Sequence, residues 1–190
     1  ASPYLLIMAL VRGENMNLKE ERLGSEVVFD GKMVKLRFDR VRLPNGRVAT
    51  REVVEHPGAV AIVPVTAAGE VVLVRQYRYA VGKELLEIPA GKLGAGEDPS
   101  AAALRELEEE TGYTAQTLHK LAAVYTTPGF TNELMHLYLA GNLILTKQHL
   151  DEDEFINVEL FSPEQIRTFV SEGLIQDAKT FLGLLLAGVI

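Results

Sequence analysis

Residues 91–113 read GKLGAGEDPSAAALRELEEETGY, a glycine-punctuated loop that runs into a helix ending with Glu106, Glu108, Glu109 and Glu110. Acidic side chains stabilise the first turn of a helix, whereas the macrodipole disfavours them in the last. Glu106 and Glu110 also stand one turn apart on one face, a like-charge pair that costs roughly 0.2–0.5 kcal/mol in isolation. A sequence that stacks these penalties calls for a compensating cation. Oxygen-only, carboxylate-rich ligand sets select Mg²⁺ or Mn²⁺ over zinc, and Mg²⁺ commonly bridges to substrate phosphates. The residues therefore predict a divalent-metal site serving phosphate chemistry.

With 190 residues, 47% of them apolar, the chain has material for one packed domain, or for one domain and an appendage. A net charge of −7 argues against a broad nucleic-acid-binding surface, so a polyanion would be met by a local basic pocket. The absence of cysteine excludes disulfides, thiolate zinc sites and a cysteine nucleophile, and fits a reducing cytoplasm. An apolar run over 4–11 is too short to span a bilayer and precedes no small-residue cleavage site. Residues 1–17 are read as a tail, part of it an expression scar, with Met8 and Met16 as alternative starts.

The elements that must position the acids follow from periodicity and turn chemistry. Strands are expected over 27–29, 33–43 and 47–55, with Asn45-Gly46 supplying the positive φ angles of a tight hairpin turn. In the second of these, Lys35, Arg37 and Arg40 alternate with apolar residues, as in a strand whose charges guard an exposed edge. Further strands are expected over 59–66, 70–79 and 85–88. Asp98-Pro99 starts the acidic helix as N-cap and first helical residue, and Gly112 ends it. Strands over 119–126, 133–140 and 155–161 follow, then helices over 163–172, capped by Ser162, and over 177–186. The order is α+β, with too many adjacent hairpins for a doubly wound parallel sheet. The four histidines show no i, i+4 pairing and are read as structural or surface residues.

Gly91, five residues, Glu97, seven residues, then Arg105-Glu106-Leu107-Glu108-Glu109-Glu110-Thr111-Gly112-Tyr113 resembles the Nudix box, a glycine, a spaced glutamate and REUxEExGU, where U is a bulky aliphatic residue. Only Tyr113, at the final U, relaxes the pattern. The resemblance implies a Nudix-type α/β/α sandwich with a mixed sheet, preceded by N-terminal antiparallel strands. It implies hydrolysis of a nucleoside diphosphate linked to another group. It further implies Glu106, Glu109, Glu110 and the Ala90 carbonyl as metal ligands, with Gly91, Glu97, Arg105 and Gly112 as scaffold.

Pro128, sixteen residues after Gly112, resembles the proline that marks the ADP-ribose pyrophosphatase branch, as do residues 51–58 and 74–78. That branch implies Arg51, Glu52, Arg78, Thr126 and Gly129 as substrate contacts, and a general base on the acidic loop 151–154, Glu154 first and Glu152 second. It also implies a homodimer built through residues 18–57, with the Nudix domain over 58–190. The alternatives are other Nudix substrates (dinucleoside polyphosphates, NADH or FAD, capped RNA) or a non-catalytic ADP-ribose sensor.

Overall fold

The structure, a computed structural model, describes residues 17–190, so the apolar run over 4–11 and both candidate start methionines lie outside the described residues. Backbone contacts divide the chain between Glu55 and His56 into two compact units. The first is an antiparallel meander in which β1 (Glu21–Asp30), β2 (Lys35–Arg42) and β3 (Val48–Glu55) pair in that order. Its β2–β3 connection is longer than a two-residue hairpin. Pro44 fixes a negative φ, the Gly46 N–H donates to the Leu43 carbonyl at 2.8 Å, and only Gly46 is left-handed, at φ +82°. Asn45 instead accepts from the Arg47 N–H through its side chain at 3.1 Å.

The charges of β2 do not guard an edge, because β2 is the central strand. Arg37 grips Asp39 at 2.9 Å and also bonds Glu55, and Ser25 Oγ donates to Asp39 at 2.5 Å. The basic alternation is thus answered within the sheet.

In the second unit, β4 (Ala59–Pro64) is buried along its whole length between β7 (Ala90–Lys92) and β9 (Leu134–Leu145), with β8 (Tyr113–Tyr125) outside β9. The β4–β9 pairing is parallel and its neighbours are antiparallel, which makes the sheet mixed. Val60 and Ile62 pack with Ala102, Ala103 and Leu107 of α1 (Pro99–Thr111). On the opposite face Ala61 and Val63 share a core with Leu184 of α3 (Ala178–Leu186) and Ile166 of α2 (Pro163–Ser171). A strand covered on both faces has no polar side, hence the unbroken AVAIVP run. A second, antiparallel sheet in the order β10 (Ile156–Phe161), β5 (Val71–Arg78), β6 (Lys83–Glu87) contributes Val71, Leu73 and Leu86 to that same core.

Local signals fix the helices. Asp98 accepts from the Ser100 and Ala101 N–H groups at 2.9 and 3.2 Å ahead of Pro99, and Ser162 forms a capping box with Gln165. Four expectations of extent need correction. β1 begins at Glu21 rather than at Val27, because residues 21–26 find partners on β2. β7 is a strand of its own. β8 and β9 extend well beyond the expected ranges, because Tyr113 to Ala115 find partners at Leu143 to Leu145. Tyr79 leaves β5 for a single 3₁₀ turn closed by left-handed Gly82.

Candidate active site

Strand β7 and helix α1 touch where the glutamates lie. The Ala90 N–H donates to Glu110 Oε2 at 3.1 Å, and the Glu106 carboxylate lies directly over Gly91. A Cβ on Gly91 would sit 2.0 Å from Glu106 Cδ. The glycine is needed for this close approach rather than for a turn, since β7 is extended there. Glu110 is buried, with 5% of its surface exposed. Burial, together with the Glu106 and Glu154 carboxylates, pushes its carboxyl up to about 8, against the opposing Ala90 N–H and Arg78. Burial likewise raises Glu106, with Glu109 and Glu154 adding to it against Arg105.

Arg105 organises the exposed side of this cluster. Its Nε and Nη2 make a fork on Glu97 at 2.9 and 3.0 Å, and its Nη1 reaches Glu106 Oε1 at 2.7 Å and Glu109 Oε2 at 2.8 Å. Nη2 also reaches the Lys92 carbonyl at 3.3 Å. Glu97 is itself tied to the loop by the Gly94 N–H at 2.8 Å, and the Arg105 fork with that bond pulls its carboxyl down to about 2.

The end of α1 is capped by the segment that follows β9. Gly112 is left-handed at φ +71° and donates to the Glu108 carbonyl at 2.9 Å. The His149 N–H takes the Glu109 carbonyl at 3.0 Å, and Gln148 Nε2 takes that of Glu110 at 2.6 Å. A Cβ on Gly112 would stand 3.0 Å from the Gln148 nitrogen. This strap leads into the acidic loop, where Glu154 raises both Glu106 and Glu110 through its charge. Glu152 is exposed on the same loop.

The remaining predicted contacts are spread more widely. Arg78, at the end of β5, is within Coulombic reach of Glu110 but spends Nε and Nη2 on Glu87, at 2.8 and 2.7 Å. Glu87 is absent from the sequence reading, although a lone acid inside the apolar run 85–90 is the kind of residue that signals a buried partner. Thr126 bonds Glu133 at 2.5 Å at the start of the β8–β9 loop, and Gly129 is exposed within it. Arg51 and Glu52 belong to β3 of the first unit, where Arg51 pairs with Glu20 at 2.5 Å. His56 accepts from the Gly58 N–H at 3.1 Å, in keeping with a structural histidine.

The donor set of Glu106, Glu109 and Glu110 is all oxygen, mutually repulsive and partly desolvated, and a hard divalent cation would relieve both penalties. The residues fit such an ion by chemistry. Among the described residues no three acidic or imidazole groups already stand in coordinating geometry, since Arg105 draws Glu106 and Glu109 to itself.

The NUDIX domain profile matches residues 55–182, and that of the nucleoside diphosphate sugar hydrolase N-terminal domain matches residues 20–54. The chain belongs to the Nudix family. Among Nudix relatives it is 46% identical to the ADP-ribose pyrophosphatase of Bacillus subtilis, over 86% of this chain and 90% of that one. It is 44% identical to the methanol dehydrogenase activator of Bacillus methanolicus, over 87% and 91% of the respective chains. The crystal structure of an ADP compounds hydrolase shares the fold at a TM-score of 0.81 and 23% identity, covering 92% of this chain and 95% of that one. The α+β architecture is therefore the Nudix fold, and Nudix hydrolases are divalent-metal dependent as a class.

Two predictions test the geometry of the Nudix box. Gly91→Ala must displace the Glu106 carboxylate, so turnover should fall about 10²-fold while the circular dichroism spectrum stays native; near-normal turnover would contradict the close approach. Glu97 has a depressed folded carboxyl, so its contribution to stability is complete above the ordinary 4.5 and is lost as pH falls towards about 2. Urea unfolding should show wild type ahead of Glu97→Gln above that window, with the gap closing through it; a gap independent of pH would refute the pairing.

Proposed function

We propose that this Nudix chain hydrolyses the diphosphate bond of ADP-ribose, or of a related nucleoside diphosphate sugar, in a reaction that depends on Mg²⁺ or Mn²⁺. The observation that carries the reading is that Glu106 and Glu110 meet β7 at Gly91 and Ala90 while Arg105 ties Glu109 to Glu106. The substrate class is supported by the relatives named ADP-ribose pyrophosphatase and by the matched N-terminal domain of nucleoside diphosphate sugar hydrolases.

Ala90 through its carbonyl, with Glu106, Glu109 and Glu110, would hold the metal, which supplies neutralising charge for the diphosphate and a lowered pKa for the attacking water. The other tasks fall to the protein. Glu97 and Arg105 keep Glu106 and Glu109 oriented, as an outer shell does for ligating carboxylates. Glu154 accepts the proton of the attacking water, with Glu152 as the alternative on the same loop. The water oxygen bonds to one phosphorus as its bridging P–O bond breaks, giving AMP and ribose 5-phosphate from ADP-ribose. Arg78 offers a guanidinium to the diphosphate, with Thr126 and Gly129 as further substrate contacts, and Arg51 and Glu52 serve the pocket of the second copy in the proposed dimer. A chain of net charge −7 needs such local cations to hold a polyanion.

The chain is also proposed to work as a homodimer through its first unit. Val27, Phe29, Phe38 and Val48 are exposed on that small sheet and provide apolar surface for a second copy. Among the described residues no helix is long and apolar enough to cross a membrane, and the lack of cysteine suits a reducing cytoplasm.

Three outcomes are expected. In a panel of ADP-ribose, ADP-glucose, NADH and diadenosine polyphosphates with either metal, ADP-ribose should give the highest kcat/KM. Glu106→Gln and Glu110→Gln should each lower kcat by about 10²-fold or more without unfolding the protein. Preference for another substrate would overturn the specificity, and mutants with near-normal turnover would overturn the assignment of the glutamates. Sedimentation at assay concentration should give twice the 20.9 kDa of one chain; a monomer would remove the dimer.

A further inference from the structure

Glu87 is 1% exposed, and a carboxylate so deeply placed must be answered by cations. Two are supplied. Arg78 makes a two-point fork, Nε to Oε1 at 2.8 Å and Nη2 to Oε2 at 2.7 Å, and Lys179 Nζ bonds Oε2 from the start of α3. Lys179 is shared with Asp177 at 3.0 Å. Asp177 caps α3 by accepting from the Thr180 N–H at 2.9 Å and the Thr180 hydroxyl at 2.5 Å, and Thr180 Oγ1 accepts from the Ile88 N–H at 2.9 Å. Ile88, the residue that follows Glu87, is thereby tied to the same helix that answers its charge. Burial pushes the Glu87 carboxyl up, but the Arg78 fork and Lys179 overcome this and hold it below its usual range.

The geometry of Arg78 shows what this arrangement does. In the β5–β6 pairing the register partner of Glu87 is Val74, so Arg78 lies four residues further along β5 and its side chain reaches back along the strand. Alternation places Val74, Gln76 and Arg78 on one face of β5, the face on which Glu87 sits. A two-point fork fixes both the position and the plane of a guanidinium, which a single bond does not. Nη1 lies outside the fork, the Arg78 side chain is 40% exposed, and its charge reaches Glu110. A buried ion pair is weak evidence for stability, since apolar replacements of similar volume are often neutral or stabilising. Its value here lies in where it leaves the free corner of the guanidinium.

We infer that Glu87 is a positioning residue that locks the Arg78 guanidinium beside Glu110 with its Nη1 corner turned to the substrate diphosphate, an inference that rests on the activity proposed above. Glu87 does not touch substrate. It acts through Arg78, with Lys179 and Asp177 neutralising the buried charge from behind.

The test is steady-state hydrolysis of ADP-ribose with Mg²⁺ by the full chain carrying Glu87→Gln, Arg78→Lys, both together, or Lys179→Met. Glu87→Gln is expected to raise KM about tenfold with kcat changed by less than about threefold, as for a contact made equally in ground and transition states. The double variant should be no worse than Arg78→Lys alone, because the two residues act as one unit. Lys179→Met, which leaves the fork in place, should lose thermal stability without a change in KM. A KM for Glu87→Gln within about twofold of wild type, or strict additivity in the double variant, overturns the inference. If Glu87→Gln does not fold, Glu87→Asp keeps the charge but shortens the reach; it carries the same expected rise in KM, and an unmoved KM has the same force against the inference. A wild-type chain that leaves ADP-ribose intact overturns the proposed activity and this inference together, whereas an active wild type with unmoved variants overturns the inference alone.

Discussion

The close approach of the Glu106 carboxylate to the backbone of β7 is the constraint on which the site depends. Two carboxylates one helical turn apart are brought against a strand and partly desolvated, and their mutual repulsion is then stronger than it would be in water. Every neighbouring feature answers that cost. Gly91 has no side chain because the space is taken. The Ala90 N–H, left over from a strand only three residues long, solvates Glu110. Arg105 reaches Glu106 and Glu109 with one nitrogen while its other edge is held by Glu97. What these groups do not neutralise is the part a cation would.

Two arginines flank the cluster and have different status. Arg105 belongs to the same helix as the acids, so its position is fixed by 3.6-residue periodicity and by a glutamate at the loop entrance. Arg78 comes from the second sheet and owes its place to a buried carboxylate that is itself tied to the C-terminal helix. Removing Arg105 would release Glu106 and Glu109, whereas releasing Arg78 would leave their hydrogen bonds in place and act on the cluster only through its charge on Glu110. On the roles proposed above, substrate binding and metal orientation are thereby separable.

The parts of the fold legible in the sequence are those determined within a few residues. The bounds of α1 follow from Asp98-Pro99 and Gly112, and the box spacing follows from residues that all touch within one loop and one helix. What stayed hidden depends on partners distant along the chain. The length of β8 is set by pairing with Leu143 to Leu145, the strand character of β7 by pairing with Ala59 to Ala61, and the parallel alignment of β4 with β9 by neither sequence alone. The edge reading of β2 failed for the same reason, since charge alternation looks alike on an outer strand and on a central strand whose neighbours carry the opposite charges, here Glu21 and Glu55. Arg78 was legible as a charge near the site, but not as half of a pair, because Glu87 meets it only through hairpin register.

The capping of α1 joins the site to its acidic loop. A helix that ends in carboxylates also ends in unsatisfied carbonyls, and both are negative. Gly112 closes one carbonyl locally, while the Glu109 and Glu110 carbonyls are taken by His149 and Gln148 on the chain leading to residues 151–154. The donors that quiet the helix end therefore also set where the acidic loop begins. A side chain at Gly112 would be strained by its left-handed φ and would press on the Gln148 nitrogen. Glu154 enters the field of Glu106 and Glu110 from a segment whose start, at Gln148 and His149, is bonded to the last turn of α1. Such an anchor matters for the general-base role proposed for Glu154, because unrestrained like charges would drive the acid away from Glu106 and Glu110.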